Sequence, residues 1–174
     1  MRIQKSTVII GIVIILLAGA VAVLAVLNYG AARKFSAVQN DATFVIQANG
    51  QSYTVDFSIL QDTGIQDFNA DKKSGGNPAV KTEYQGVPLK KLCDKLKIDI
   101  SGAKSCVALA ADGYTVSLSI DKVNDTDNAF IAIGQNGEPL AKKEDGGDGP
   151  YMIVAVKDTF SQNWCKYLSE IVFK

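Results

Sequence analysis

Apolar residues follow three rhythms along this chain. Residues 7–27 are 21 consecutive positions without a charge, dominated by Ile, Val, Leu and Ala. At about 1.5 Å of rise per residue they cover the roughly 30 Å hydrocarbon layer of a bilayer, so they predict one N-terminal transmembrane helix. Beyond residue 40 the pattern shortens. Tyr53, Val55 and Phe57 alternate with polar residues, which predicts a strand with one wet face. Leu89, Leu92, Cys93 and Leu96 fall at i, i+3, i+4 and i+7, opposed by Lys90, Lys91, Asp94 and Lys95, which predicts an amphipathic helix. Residues 151–156 form a continuous apolar run, too short for a helix and suited to a strand buried on both faces. After it, Trp164, Tyr167, Leu168 and Ile171 recur at helix-like spacing, so a short helical turn packed on that strand is expected, with 171–173 as a closing strand.

Turn residues punctuate these segments. Asn49-Gly50 separates two β-rich runs, 43–48 and 52–57, as a tight hairpin turn would. Ser58 is a candidate N-cap for one helical turn over 58–61. Strands are expected at 65–68 and 79–84, flanking a loop over 69–78 whose Lys72-Lys73-Ser74-Gly75-Gly76 has turn composition. Pro88 suits the first position of the amphipathic helix. A hairpin follows, 106–110 and 114–120 around Asp112-Gly113, then an acidic loop, a short strand over 129–133, and a charged Gly-rich loop over 142–148. The organisation is therefore a tail (1–6), an anchor (7–27), a linker (28–40) and one soluble domain (41–174), a single mixed-sheet domain of the α+β class.

Charge is balanced overall, with 18 basic and 18 acidic residues, but unevenly placed. Residues 1–34 carry Arg2, Lys5, Arg33 and Lys34 and no acid, which leaves the remainder mildly acidic. Clustered cations for a phosphate backbone are lacking, so nucleic acid is excluded as a partner. Gly30-Ala31-Ala32 has the composition of a cleavage site, but Arg33-Lys34 behind it is poor context, and an uncleaved anchor is expected. A lone N-terminal anchor ahead of one domain implies a single-pass cell-membrane protein with its domain extracytoplasmic.

The chain has no histidine, which removes the usual base of a Ser or Cys nucleophile. Cys93, Cys106 and Cys165 lack C-x-x-C spacing and do not read as a zinc site. They fit either three buried thiols or one disulfide, Cys93 with Cys106, plus a free thiol. Asp121, Asp125 and Asp127, with Asn124 and Asn128, offer oxygens for a calcium ion, although the spacing is not an EF-hand and a solvated loop is the more ordinary explanation. Glu144, Asp145 and Asp148 form a second acidic group. The glycines at 146, 147 and 149 precede a strand and lack the Lys-Ser/Thr of a P-loop, so they read as a turn.

From Tyr84 onward the order of motifs resembles the molybdopterin-binding domain of the sulfite oxidase superfamily. Gly86-Val87-Pro88-Leu89, continuing to Leu92-Cys93, is similar to that family's GVPL helix start. Asp112-Gly113-Tyr114 is similar to its DGY hairpin. Asn136-Gly137-Glu138-Pro139-Leu140, then Gly149-Pro150-Tyr151-Met152 and Trp164-Cys165-Lys166-Tyr167-Leu168-Ser169-Glu170-Ile171, match its later segments. The resemblance implies a mixed α+β fold on a twisted sheet and, for intact members, molybdenum held by a cysteine upstream of GVPL, with arginine and histidine on the pterin phosphate. This chain departs from that pattern. Residues 65–84 contain no cysteine, its only arginines are Arg2 and Arg33, and Met152 stands where the family usually has arginine. Tyr84, Tyr114 and Tyr151 are candidates to line a residual ligand cleft where the family keeps its pterin.

The expectation is a membrane-anchored module that binds a small ligand or a protein partner on a degenerate molybdopterin-domain scaffold, without a cofactor and without catalysis. The alternatives are a molybdopterin-dependent oxidoreductase with atypical ligation, or a structural or assembly protein of a cell-surface complex.

Overall fold

The computed structural model describes residues 5–39, 41–73 and 78–174; residues 1–4 of the expected tail and 74–77 of the loop expected over 69–78 lie outside them. The chain divides into two units, Met1–Lys34 and Phe35–Lys174. The described residues of the first lie within helix α1 (Lys5–Gln39), on which Ile10, Ile15, Leu16, Val21 and Leu24 are more than half exposed. Among the described residues no helix is long and apolar enough to cross a membrane. The transmembrane expectation thus finds no support in the structure.

The second unit is built on two sheets. Strands β1 (Phe44–Ala48) and β2 (Gln51–Val55) form the hairpin expected at Asn49-Gly50, with φ of 51° and 73° at the two turn residues. Positive φ at both positions matches the right-handed twist of the flanking strands. Helix α2 (Phe57–Thr63) follows, capped by Asp56 and not by Ser58. The Asp56 carboxylate accepts from the Ile59 N–H at 3.0 Å, and the Ser58 hydroxyl donates to it. Then come β3 (Gln66–Lys72), β4 (Val80–Pro88), α3 (Leu89–Lys95), β5 (Ser105–Ala110), β6 (Thr115–Ser119), α4 (Ile120–Asn124), β7 (Ala129–Gln135), β8 (Glu138–Pro139), β9 (Met152–Ala155) and β10 (Leu168–Phe173).

One sheet has the order β2-β1-β10-β5-β6, with β1 and β10 parallel and every other pair antiparallel. The other runs β3-β4-β7, and the far edge of β7 is shared by β8 and β9. One mixed and one antiparallel sheet with short helices make this the α+β architecture expected. A single core joins both sheets to α2, α3 and α4, with Leu60, Leu89, Leu92, Ile131 and Ile153 fully buried.

Several stretches differ from the sequence reading. Residues 69–72, expected in a loop, continue β3, and residues 120–124, expected as a strand end and an acidic loop, form α4. The polar segment 28–40 is helical through Gln39, and its last turn belongs to the domain. Gln39 is buried and its amide donates to the Ile133 carbonyl at 2.9 Å and the Pro150 carbonyl at 3.2 Å. Trp164 to Ile171, spaced like a helix, follows a 3₁₀ turn (Ser161–Asn163) as an extended strap leading into β10. Cys165 exchanges backbone hydrogen bonds with Ile153 at 2.8 and 3.0 Å, and Tyr167 adopts φ 53° before β10 begins. Pairing with β9 overrode the helical spacing.

Gly86 marks a tight approach of two strands. It lies at a register shift between β4 and β7, and a Cβ there would sit 2.2 Å from the Ile131 carbonyl oxygen. Gly86→Ala is expected to cost about 2–4 kcal/mol in urea unfolding of the full chain in detergent. Gly50→Ala, with open space but φ 73°, should cost only about 1–2 kcal/mol.

Candidate functional site

Three chain segments converge above an aromatic stack. Phe68 of β3 stacks between Phe130 and Tyr84, with centroids 4.0 and 5.6 Å apart, and Tyr84 meets the edge of Trp164 at 5.7 Å. Such pairs add roughly 0.5–1.5 kcal/mol each beyond the area they bury. Trp164 is fixed by the strap and by its indole N–H, which donates to the Ala155 carbonyl at 3.1 Å. A cavity of about 270 Å³ opens over it, walled by Asp112, Tyr114, Gln162, Trp164, Lys166 and Tyr167.

Each wall is held in place. The turn between β5 and β6 puts Asp112 where it accepts from the Tyr114 N–H at 3.1 Å and pairs with Lys143 at 3.2 Å. Those two contacts hold the Asp112 carboxyl below the usual range. Tyr114, half exposed, donates its hydroxyl to the Gln162 carbonyl at 2.6 Å and so ties the hairpin to the 3₁₀ turn. The Lys143 ammonium lies 4.9 Å from the Tyr167 ring centroid, within cation–π range. A second cavity, about 530 Å³, lies among Lys72, Gln135, Asn136, Leu140, Gly147 and Asp148.

Asp148 links the two cavities. One of its oxygens pairs with Lys72 at 2.9 Å, on the side of the second cavity, and the other with Lys166 at 2.7 Å, on the side of the first. Burial alone would raise its pKa; the hydrogen bonds from Lys166 and Lys72 more than offset that and leave it lowered. Nearby, Tyr84 is buried, and its hydroxyl has no hydrogen-bond partner of adequate geometry. The neighbouring Thr82 hydroxyl donates to the Val80 carbonyl. Burial first, and then the charge of Asp148, push the Tyr84 phenol up to about 12.

The residues singled out in the sequence are dispersed. Tyr114 lines the first cavity, and Tyr84 lies in the stack beneath it. Tyr151 lies elsewhere, buried against Phe44 with its hydroxyl donating to the Ala42 carbonyl at 3.0 Å. The calcium expectation finds no support: among the described residues no group of three or more carboxylate, thiol or imidazole ligands converges. Asp125 turns one oxygen to the Asp127 N–H and the other to Lys157 at 2.5 Å, and Asn128 accepts from the Lys157 N–H. Lysine therefore supplies the charge a cation would have brought. The Cys93–Cys106 bridge is not formed either. All three cysteines are free and fully buried, and burial is the main cause that pushes each thiol up to about 12. Lys72 and Lys166 were not singled out; nothing in the spacing of positions 72, 148 and 166 signals that they meet.

The family model for the oxidoreductase molybdopterin binding domain matches residues 17–174, well over half of the chain. The chain belongs to this family. Among solved structures it is similar to the sulfane dehydrogenase SoxCD from Paracoccus pantotrophus, with a TM-score of 0.60 at 20% identity over 76% of this chain. At that identity the likeness speaks for the fold. The chain spans 38% of the length of that SoxCD chain. No curated protein matches.

Membership weighs against a domain without a cofactor, since the family is one of molybdopterin binding. The residues present do not fit that group. A metal-binding thiol must ionise and reach the ligand, whereas all three thiols here are buried and held protonated. No arginine or histidine occurs in residues 35–174 to hold a pterin phosphate, and Lys72 and Lys166 are committed to Asp148.

Iodoacetamide at pH 8 should modify the three native cysteines at least about 100-fold more slowly than in denaturant, with mass spectrometry counting adducts. Asp148→Asn should cost about 1–3 kcal/mol at pH 7. The folded pKa of Asp148 lies below its usual 3.8, so its contribution is complete above 3.8 and is lost as pH falls through the folded value. The unfolding midpoints of wild type and variant should therefore converge as pH drops below 3.8.

Proposed function

We propose that this protein is a membrane-anchored, extracytoplasmic binding module on a molybdopterin-domain scaffold, and that it binds without catalysing. Its ligand, a small molecule or the exposed segment of a partner protein, enters the cavity above Trp164 and meets Tyr114, Tyr167 and Lys166. One observation carries the reading: no thiol faces either cavity, and the lysines placed there are neutralised from within the chain. The anchor rests on the 21 uncharged residues at 7–27, continued here as helix α1 with its apolar side chains outward. Family membership supports a second reading, an oxidoreductase that ligates molybdopterin in an atypical way.

Native mass spectrometry and elemental analysis of the full chain, purified in detergent from its own host, separate the two. The expected outcome is a chain free of molybdenum, sedimenting with membranes and resisting carbonate extraction. Stoichiometric molybdenum with a pterin mass would make the oxidoreductase reading primary, and release by carbonate would remove the anchor.

A further inference from the structure

The Lys72–Asp148–Lys166 junction has the composition of an anion site with the anion supplied by the protein. Two ammonium groups from segments 94 positions apart in sequence take the two oxygens of one carboxylate, at 2.9 and 2.7 Å. Both lysines remain partly open, 31% and 42% exposed, while Asp148 between them is 17% exposed. The junction is thus reachable by solvent from both cavities, with the carboxylate as its most enclosed member.

Delivery of that carboxylate depends on the glycines around it. Gly146 adopts φ 75° at the end of a 3₁₀ turn (Lys143–Asp145). A Cβ on Gly147 would sit 2.1 Å from the Ala141 carbonyl oxygen, and one on Gly149 would sit 2.5 Å from Leu140. With glycine on either side, the backbone presses against residues 140 and 141 and brings Asp148 to the lysines. The buried Tyr84 hydroxyl, unpartnered among the described residues, lies within the field of Asp148 and could donate to an oxyanion that reached it.

We propose that this junction is an oxyanion-binding site that the chain fills with its own Asp148. The carboxylate does for Lys72 and Lys166 what a bound sulfate, phosphate or ligand carboxylate would do. Without Asp148, the lysine pair takes such an anion from solution. In the intact chain an anionic ligand must compete with Asp148 for the two ammonium groups. This assignment concerns the junction and does not depend on what fills the neighbouring cavity.

Asp148→Ser in the full chain, purified in detergent, provides the test, with sodium sulfate and sodium acetate as probes and sodium chloride at equal ionic strength as control. Sulfate also stabilises folded proteins generally, so the double variant Lys72→Met/Asp148→Ser is the reference. Asp148→Ser should have a lower unfolding midpoint than wild type. Sulfate or acetate should restore it saturably, with half-effect at a concentration at least tenfold below any effect on wild type or on the double variant. Chloride should not. A response equal to that of chloride, or one that survives the loss of Lys72, would overturn the assignment. If Asp148→Ser does not fold, Asp148→Asn keeps the side-chain volume and removes the charge; a midpoint unmoved by either oxyanion in that variant overturns the assignment as well.

Discussion

Six of the seven residues of β7 are buried, and the strand bonds to β4 along one edge and to β8 and β9 along the other. That arrangement requires a nearly unbroken apolar sequence, and Ala129-Phe130-Ile131-Ala132-Ile133 provides it. It also requires that β4 come close, which Gly86 permits and any side chain would prevent. Much else follows from this contact. Phe130 brings Phe68 and Tyr84 into one stack, the stack supports Trp164, and Trp164 floors the cavity. The Gln39 amide on the Ile133 carbonyl ties the last turn of α1 to the same strand.

The polar face of the domain works by internal compensation. Asp148 satisfies two lysines, Lys143 satisfies Asp112, and Lys157 satisfies Asp125. Only the first of these pairings encloses its carboxylate enough for the geometry to matter to stability; the others stand in water, where such pairs contribute little. The thiols lie on the opposite side of this division. Cys93, Cys106 and Cys165 behave as small apolar residues of the core, which explains how a member of a molybdopterin-binding family can retain three cysteines and present none to its cavities.

Features set by local rules were legible in the sequence. Asn49-Gly50 specifies its hairpin through positive φ, Leu89, Leu92 and Cys93 specify the buried face of α3, and Asp112-Gly113 specifies the turn that pairs β5 with β6. Features set by distant partners were not. Trp164 to Ile171 carries helical spacing, yet backbone bonds to Ile153 draw it out straight. Asp121, Asp125 and Asp127 form an acidic group along the chain, yet Lys157, 32 residues on, takes one of the three. Segment 28–40 has linker composition, and it is the packing of Phe35 on the core and the buried Gln39 contact that make its end part of the domain. Of the site, the sequence disclosed Tyr114 and Tyr84 through a family pattern; the lysine–aspartate junction unites positions 72, 148 and 166, which no periodicity connects.

Strand β10 occupies the middle of its sheet, parallel to β1 and antiparallel to β5, and Lys174 beyond it still exchanges backbone bonds with Ser105. During synthesis the hairpins β1–β2 and β5–β6 therefore emerge as two separate ribbons, each with an open edge, and wait for residues 168–173 to join them. Until then the sheet does not exist, and the unpaired edges are the surfaces through which strands of other chains would associate. The interval between making residue 119 and making residue 173 is the one in which this chain is most exposed to misassembly, and the one in which a chaperone would have most to protect.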